Sequence, residues 1–164
     1  MGVREVARGF CGIGIYYGKK SANIGTLMRS GFCYGVDFLF TIGHRYKPQC
    51  SDTPKSWRSV PMFQFMDFVD FKNHLPLEAQ LVAIEQHPLA HDLNTHFVHP
   101  ERAVYLLGAE DNGIPESVLA QCKTIVQIPH VAMCLNVATA GSTILFDRFS
   151  KQNKLASDKA SVLG

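Results

Sequence analysis

Apolar runs separated by polar, glycine- and proline-marked segments divide the chain into alternating strands and helices. Residues 10–17 (FCGIGIYY) are apolar and aromatic and predict a buried strand. Ser21 or Asn23 can cap a helix that runs to about Tyr34, with Gly35 as its stop. Residues 37–42 form a second apolar run, and residues 43–61 are polar and proline-marked, hence a loop. A short strand is expected over 62–66, then a helix capped by Asp67 and reaching His74, then a strand over 80–84. Residues 87–100 are rich in His and Asn and bounded by prolines, so they predict loop with one helical turn at most. A strand over 103–107 precedes Pro115, which suits the first turn of a helix to Gln121. The last strand is expected over 124–128. After a loop over 130–134, a helix runs from Asn136 to about Lys151, with Val137, Ile144, Leu145 and Phe149 along one face. The small polar tail over 152–164 is expected to fray.

This alternation predicts one α/β domain over residues 1–151, with a mostly parallel sheet and helices on both faces. Ligands of such sheets bind at the carboxyl ends of the strands, where residues 107–115 and 128–136 stand here.

Composition adds modestly to that picture. At 164 residues the chain can hold a real core, and a 46% hydrophobic share is ordinary for a globular domain. Charged residues make up only 18%, so part of the surface is expected to be covered, self-association being one way. A net charge of +2 does not announce a nucleic-acid binder, so any such contact needs a local patch. Arg45, Lys47, Lys55 and Arg58 lie close together in one polar stretch, which a solvated loop would also explain. The five cysteines include no C-x-x-C pair, which disfavours a disulfide framework or zinc knuckle and fits a reducing cytoplasm. No stretch approaches a membrane span, so a soluble protein is expected.

Several chemistries lack their motifs. Gly12-x-Gly14 has no third glycine and opens no helix, so a dinucleotide fingerprint is disfavoured, and there is neither a P-loop nor a G-x-S-x-G elbow. His87 and His91 stand four apart and His96 and His99 three apart, but Pro88 and Pro100 interrupt both pairs. Surface or loop histidines are favoured over a metal site there. Residues 106–115 (LLGAEDNGIP) are more specific: a strand ends in glycine, Glu110 follows, and Gly-Ile-Pro opens a helix. Residues 124–138 (TIVQIPHVAMCLNVA) place Asn136 as the cap of a helix whose small residues allow close packing.

These two segments resemble motifs 2 and 3 of the SpoU (TrmH-like) RNA ribose 2′-O-methyltransferases of the SPOUT superfamily. Motif 1 is recognisable in residues 23–29 (NIGTLMR), with Asn23 and Arg29 six apart. All three occur in family order, and the resemblance covers about residues 10–151. Cys134 stands where the family usually has Ser, Ala138 where Ser is common, and Lys19-Lys20-Ser21-Ala22 replaces the more common lead into motif 1.

The resemblance implies a SPOUT-like fold with a C-terminal trefoil knot, and S-adenosyl-L-methionine as cofactor. Residues at the positions of Ile84, Gly108, Ile128, Cys134 and Leu135 would hold it. Arg29, Glu110 and Asn136 would serve catalysis, and Asn23, Arg29, Arg45, Lys55 and Arg58 would meet RNA. With no added RNA-binding domain in view, family analogy leans to tRNA over rRNA. No metal and no membrane partner are expected. A homodimer is implied, with Ile144, Leu145 and Phe149 of the last helix as its expected surface. Two other readings are a SPOUT base methyltransferase, whose family lacks this Asn, Glu, Asn set, and a non-catalytic RNA-binding homologue, for which Cys134 speaks.

Overall fold

A computed structural model describes residues 9–43, 59–95, 97–130 and 132–162, with side chains of the last helix described as far as Gln152. The described residues form seven strands and four helices. In chain order they are β1 (Cys11–Tyr16), α1 (Ser21–Cys33), β2 (Phe38–Ile42), β3 (Met62–Phe65), α2 (Phe68–Asn73), β4 (Gln80–Ile84), β5 (His91–Asp92), β6 (Ala103–Leu107), α3 (Glu116–Leu119), β7 (Thr124–Gln127) and α4 (Val137–Val162). The sheet order is β3-β2-β1-β6-β4-β7-β5, and every strand pair is parallel.

A parallel sheet covered on both faces needs apolar side chains on both sides of each strand, hence the unbroken apolar runs. Ile13, Ile15, Val82, Tyr105 and Leu107 face α1 and α4, joining Ile24, Leu27, Met28, Ile144 and Leu145 in one core. Phe40, Leu81, Ala83, Val104 and Leu106 face the other way, with Phe68 and Phe71 of α2 and Val118 and Leu119 of α3. Gly12 and Gly14 lie opposite Phe38 and Phe40 in the parallel register. A Cβ at either glycine would run into the facing phenylalanine ring, so the G-x-G pattern makes room for aromatic packing.

Several expectations are corrected. The N-cap of α1 is Lys20, with no side-chain capping bond, because Asn23 uses its side chain in tertiary contacts described below. α4 does not stop near Lys151 but continues to Val162. Residues 152–162 contain neither glycine nor proline, so low apolarity alone does not end the helix. Ile144 (0% exposed) and Leu145 (1%) are core residues and cannot form a subunit interface, whereas Phe146 and Phe149 are exposed. The strand β5 was expected as loop; it is two polar residues, too short for any periodicity, and exists through pairing with β7. Gln127 secures it by donating to Asp92 Oδ1 at 2.6 Å.

His99 is a loop histidine, as expected, but a buried one. Its side chain is almost fully buried, with Nδ1 2.6 Å from the Tyr105 hydroxyl and Nε2 2.7 Å from Asp147 Oδ2. Buried Arg148 donates to the Pro100 and Glu101 carbonyls at 2.5 and 3.0 Å, and Lys151 to the Leu93 and Phe97 carbonyls at 3.0 and 3.1 Å. α4 thereby straps the segment between β5 and β6 to the sheet. Burial pushes the His99 pKa below its ordinary value of 6.5, against the raising effect of Asp147. The folded state then resists a proton that the unfolded chain accepts. The stability that follows is present above about pH 6.5 and lost as pH falls below it. Urea unfolding midpoints should decline on that acid side, and His99→Phe should be less stable but flatter there; an unchanged slope in the variant would assign the acid loss to other groups.

Candidate active site

The carboxyl ends of β4, β6 and β7 carry three loops that meet the start of α4. Together they enclose a cavity of about 490 Å³. All five residues expected from sequence to line a cofactor site, Ile84, Gly108, Ile128, Cys134 and Leu135, line this cavity. Leu107, Leu119 and Val137 extend its apolar wall, and Leu135 remains 42% exposed at the edge. Gln86 donates its side-chain N–H to the Ile128 carbonyl at 3.1 Å, tying the loop after β4 to the loop after β7.

Glu85, the residue that follows β4, organises the turn after β6. Its Oε2 accepts from the Ile114 N–H at 2.9 Å, and its Oε1 from the Gln86 N–H at 3.0 Å. Gly113, at φ 58°, closes the turn by donating its N–H to the Ala109 carbonyl at 3.1 Å. A Cβ at Gly108 or Gly113 would lie 2.6 Å from Glu85 Oε2. The two glycines of motif 2 therefore leave space for a carboxylate from the neighbouring strand. Sequence reading missed Glu85, although it stands at its strand end as Glu110 stands near the end of β6. Glu85→Ala orphans the Ile114 N–H and should cost about 1–3 kcal/mol of stability. Denaturant titration of Glu85→Ala beside Glu85→Gln, which keeps an acceptor oxygen, measures this; equal stability of Glu85→Ala and wild type would mean the turn holds itself.

Beside the cavity, three motif residues are joined. Asn23 Nδ2 donates to Glu110 Oε1, and Asn136 Nδ2 donates to Asn23 Oδ1 at 3.0 Å. Asn136 also caps α4, accepting from the Ala138 and Thr139 N–H groups at 2.9 and 3.3 Å. Lys20 Nζ lies 2.9 Å from Glu110 Oε2, and Lys19 pairs with Asp111. Lys20 first, then Asn23, hold the Glu110 carboxyl below its ordinary range, so Glu110 is an anion that orients an amide. Lys19 and Lys20 were noticed in the sequence only as a departure before motif 1; here they bridge motif 1 to motif 2. Arg29 stands apart from this chain. It is exposed on α1 and has no hydrogen-bond or ion-pair partner among the described residues, while its neighbour Ser30 meets Ser142 of α4 at 2.6 Å. Arg45, Lys47, Lys55 and Arg58 lie outside the described residues.

The histidines split between tasks. His87 lines the cavity 3.4 Å from Glu116, and His99 belongs to the strap on α4. Among the described residues no group of three or more His, Cys, Asp or Glu side chains is placed to hold a metal, and no helix is long and apolar enough to cross a membrane.

Comparison with known proteins follows the same outline. Residues 13–146 match the SpoU rRNA Methylase family. A mouse protein named tRNA (guanosine(18)-2′-O)-methyltransferase TARBP1 is 24% identical over 141 residues, which are 81% of this chain and 9% of that one. An AdoMet-bound rRNA methyltransferase from Sinorhizobium meliloti superposes with a TM-score of 0.77 at 22% identity, over 86% of this chain and 56% of that one. A structure described as giving insight into 2-OH methylation of C/U34 on tRNA superposes with a TM-score of 0.76 at 21% identity, over 90% and 99%. The chain thus spans about a tenth of the mouse relative and just over half of the S. meliloti enzyme.

Proposed function

Since the chain belongs to the SpoU rRNA Methylase family, we propose that it is an S-adenosyl-L-methionine-dependent RNA methyltransferase acting on a ribose 2′-hydroxyl. The observation that carries this reading is one cavity lined by all five expected cofactor residues, flanked by the linked side chains of Glu110, Asn23 and Asn136. The cavity's size and apolar walls suit a nucleoside, with polar groups at the edges to orient it. When bound, S-adenosyl-L-methionine supplies an electrophilic methyl group on a sulfonium, which departs as a neutral thioether and needs no general acid.

What remains for the chain is alignment of the hydroxyl and stabilisation of its oxygen as the proton leaves. Arg29, exposed and without a partner among the described residues, suits an RNA phosphate and the forming alkoxide, whereas a guanidinium makes a poor general base. Asn23, held on one side by anionic Glu110 and on the other by Asn136, presents a fixed amide beside the cavity. tRNA is the substrate class that the mouse relative's name and the C/U34 structure's description favour. The four described free cysteines suit a reducing cytoplasm. The C-terminal trefoil knot belongs to the same reading, supported by β6 lying between β1 and β4, both earlier in the chain.

A homodimer belongs to it as well, through Phe149, the residue of the expected surface that stays exposed, and its aromatic neighbours. Tyr34, Phe146 and Phe149 form an aromatic cluster with ring centroids 5.9–6.1 Å from Tyr34. Phe146 and Phe149 are exposed and Tyr34 is half-buried, so the cluster offers apolar surface of the kind that an interface burying over about 1,000 Å² requires. The decisive experiment maps 2′-O-methyl sites across total RNA from cells with and without the protein, with sedimentation of the purified chain alongside. No site that depends on the protein would sink the enzymatic reading, and a stable monomer would sink the dimer.

A further inference from the structure

A second hollow of about 540 Å³ lies across the motif 2 turn from the cofactor cavity, and Ala109, Asn112 and Gly113 line both. Its far wall is Tyr16 and Tyr17, edge to face with ring centroids 4.7 Å apart, and Pro115 adds an apolar surface. Two features set Tyr17 apart from a packing residue. It remains 45% exposed, and its φ of 47° is a left-handed conformation that a bulky side chain rarely adopts. The fold fixes that conformation by the Tyr17 N–H donating to the Ile42 carbonyl at 2.8 Å. It also leaves Gly43 bare beneath the ring, where a Cβ would collide with it. Strain of this kind concentrates where a side chain must be aimed at a ligand.

We propose that this hollow receives the unstacked base of the nucleotide being methylated, with Tyr17 as its stacking surface. The inference rests on the ribose-methyltransferase reading above. The register pairs Ile15 with Leu107, and just past the two strand ends Tyr17 and Ala109 line the same hollow. The next residue, Glu110, belongs to the chain that orients Asn23. In a nucleotide the base is attached to the carbon next to the one bearing the 2′-hydroxyl. A hydroxyl at the methyl donor therefore brings its base within a few ångströms, on one side or the other of this turn. The cavity proposed for the cofactor lies on one side, and the hollow is the other. Its chemistry fits a base: aromatic and prolyl surfaces for the flat faces, with Asn112 in the lining for a polar edge.

The test compares wild type, Tyr17→Ala and Tyr17→Phe. Methyl incorporation into total RNA from cells lacking the protein is measured beside calorimetry with S-adenosyl-L-methionine, thermal melting and sedimentation. Loss of one stacked base should raise the KM for RNA at least about fivefold in Tyr17→Ala. Cofactor affinity and melting should stay as in wild type, and Tyr17→Phe should behave as wild type, because the ring and not the hydroxyl does the stacking. An unchanged KM in Tyr17→Ala overturns the subsite alone. A joint fall in cofactor affinity and melting overturns it too, since the ring would then be holding the turn. A change in sedimentation assigns the hollow to a second copy of the chain. If wild type neither binds the cofactor nor incorporates methyl groups, the methyltransferase reading itself fails and takes the subsite with it.

Discussion

Arg29→Ala should bind S-adenosyl-L-methionine as wild type does and methylate RNA at least about a hundredfold more slowly. The cofactor half of that expectation follows from placement: Arg29 is exposed on α1, and the cavity is lined from the ends of β4, β6 and β7 and from the start of α4. The rate half follows from its lack of partners. Lys19, Lys20, Arg102 and Arg148 are each engaged with carboxylates or carbonyls, whereas Arg29 is held by nothing among the described residues. An interaction made only with RNA near the transition state lowers turnover when removed and leaves ground-state cofactor binding alone. Arg29→Lys should restore little, because a point charge does not reproduce a planar fork. Methyl-transfer rates beside calorimetry decide the matter. A wild-type rate in Arg29→Ala would remove the central residue of the proposed mechanism.

Legibility in the sequence followed how local each feature is. The strands were readable to within a residue or two wherever a run of apolar residues is buried on both faces, as in β4 and β6. Asp67 was readable as a cap because its side chain accepts from the Asp70 N–H, three residues on, at 2.8 Å. Features created by distant partners were not readable. β5 depends on β7, Asn23 is drawn away from capping by Glu110 and Asn136, and His99 is buried by a helix nearly fifty residues later. Helical periodicity identified the apolar face of α4 correctly but could not say whether its own sheet or a second subunit covers that face. The sheet covers Ile144 and Leu145.

The site divides in the same way. The family resemblance named Ile84, Gly108 and Ile128, which stand at or just past the ends of β4, β6 and β7, ends that a parallel sheet brings together whatever the loops do. It could not name Glu85, whose role exists only because β4 lies next to β6. It also treated Lys20 as a deviation, when its partner is a carboxylate ninety residues away. Residue types announce a site; the pairing order of the strands decides which of them meet.

Gly108→Ala should therefore be a damaging small substitution in the cavity proposed for the cofactor. One methyl group there would lie 2.6 Å from Glu85 Oε2 and 2.9 Å from both the carbonyl carbon and the Cα of Gly113. A carboxylate fixed by two N–H groups can shift only by giving up those bonds, and the backbone of Gly113 can shift only by opening the turn. Overpacking of this kind typically costs about 1–3 kcal/mol. Because the strain falls on the turn that lines the cavity, most of it should appear as lost affinity, roughly ten- to a hundredfold for S-adenosyl-L-methionine. Calorimetry of Gly108→Ala alone and combined with Glu85→Ala separates the contributions. Removing the carboxylate relieves one contact and leaves the Gly113 backbone in place, so the double variant should recover part of the affinity and not all of it. Wild-type affinity in Gly108→Ala would mean that the turn between Leu107 and Pro115 does not contact the cofactor, and the cavity would lose its assignment.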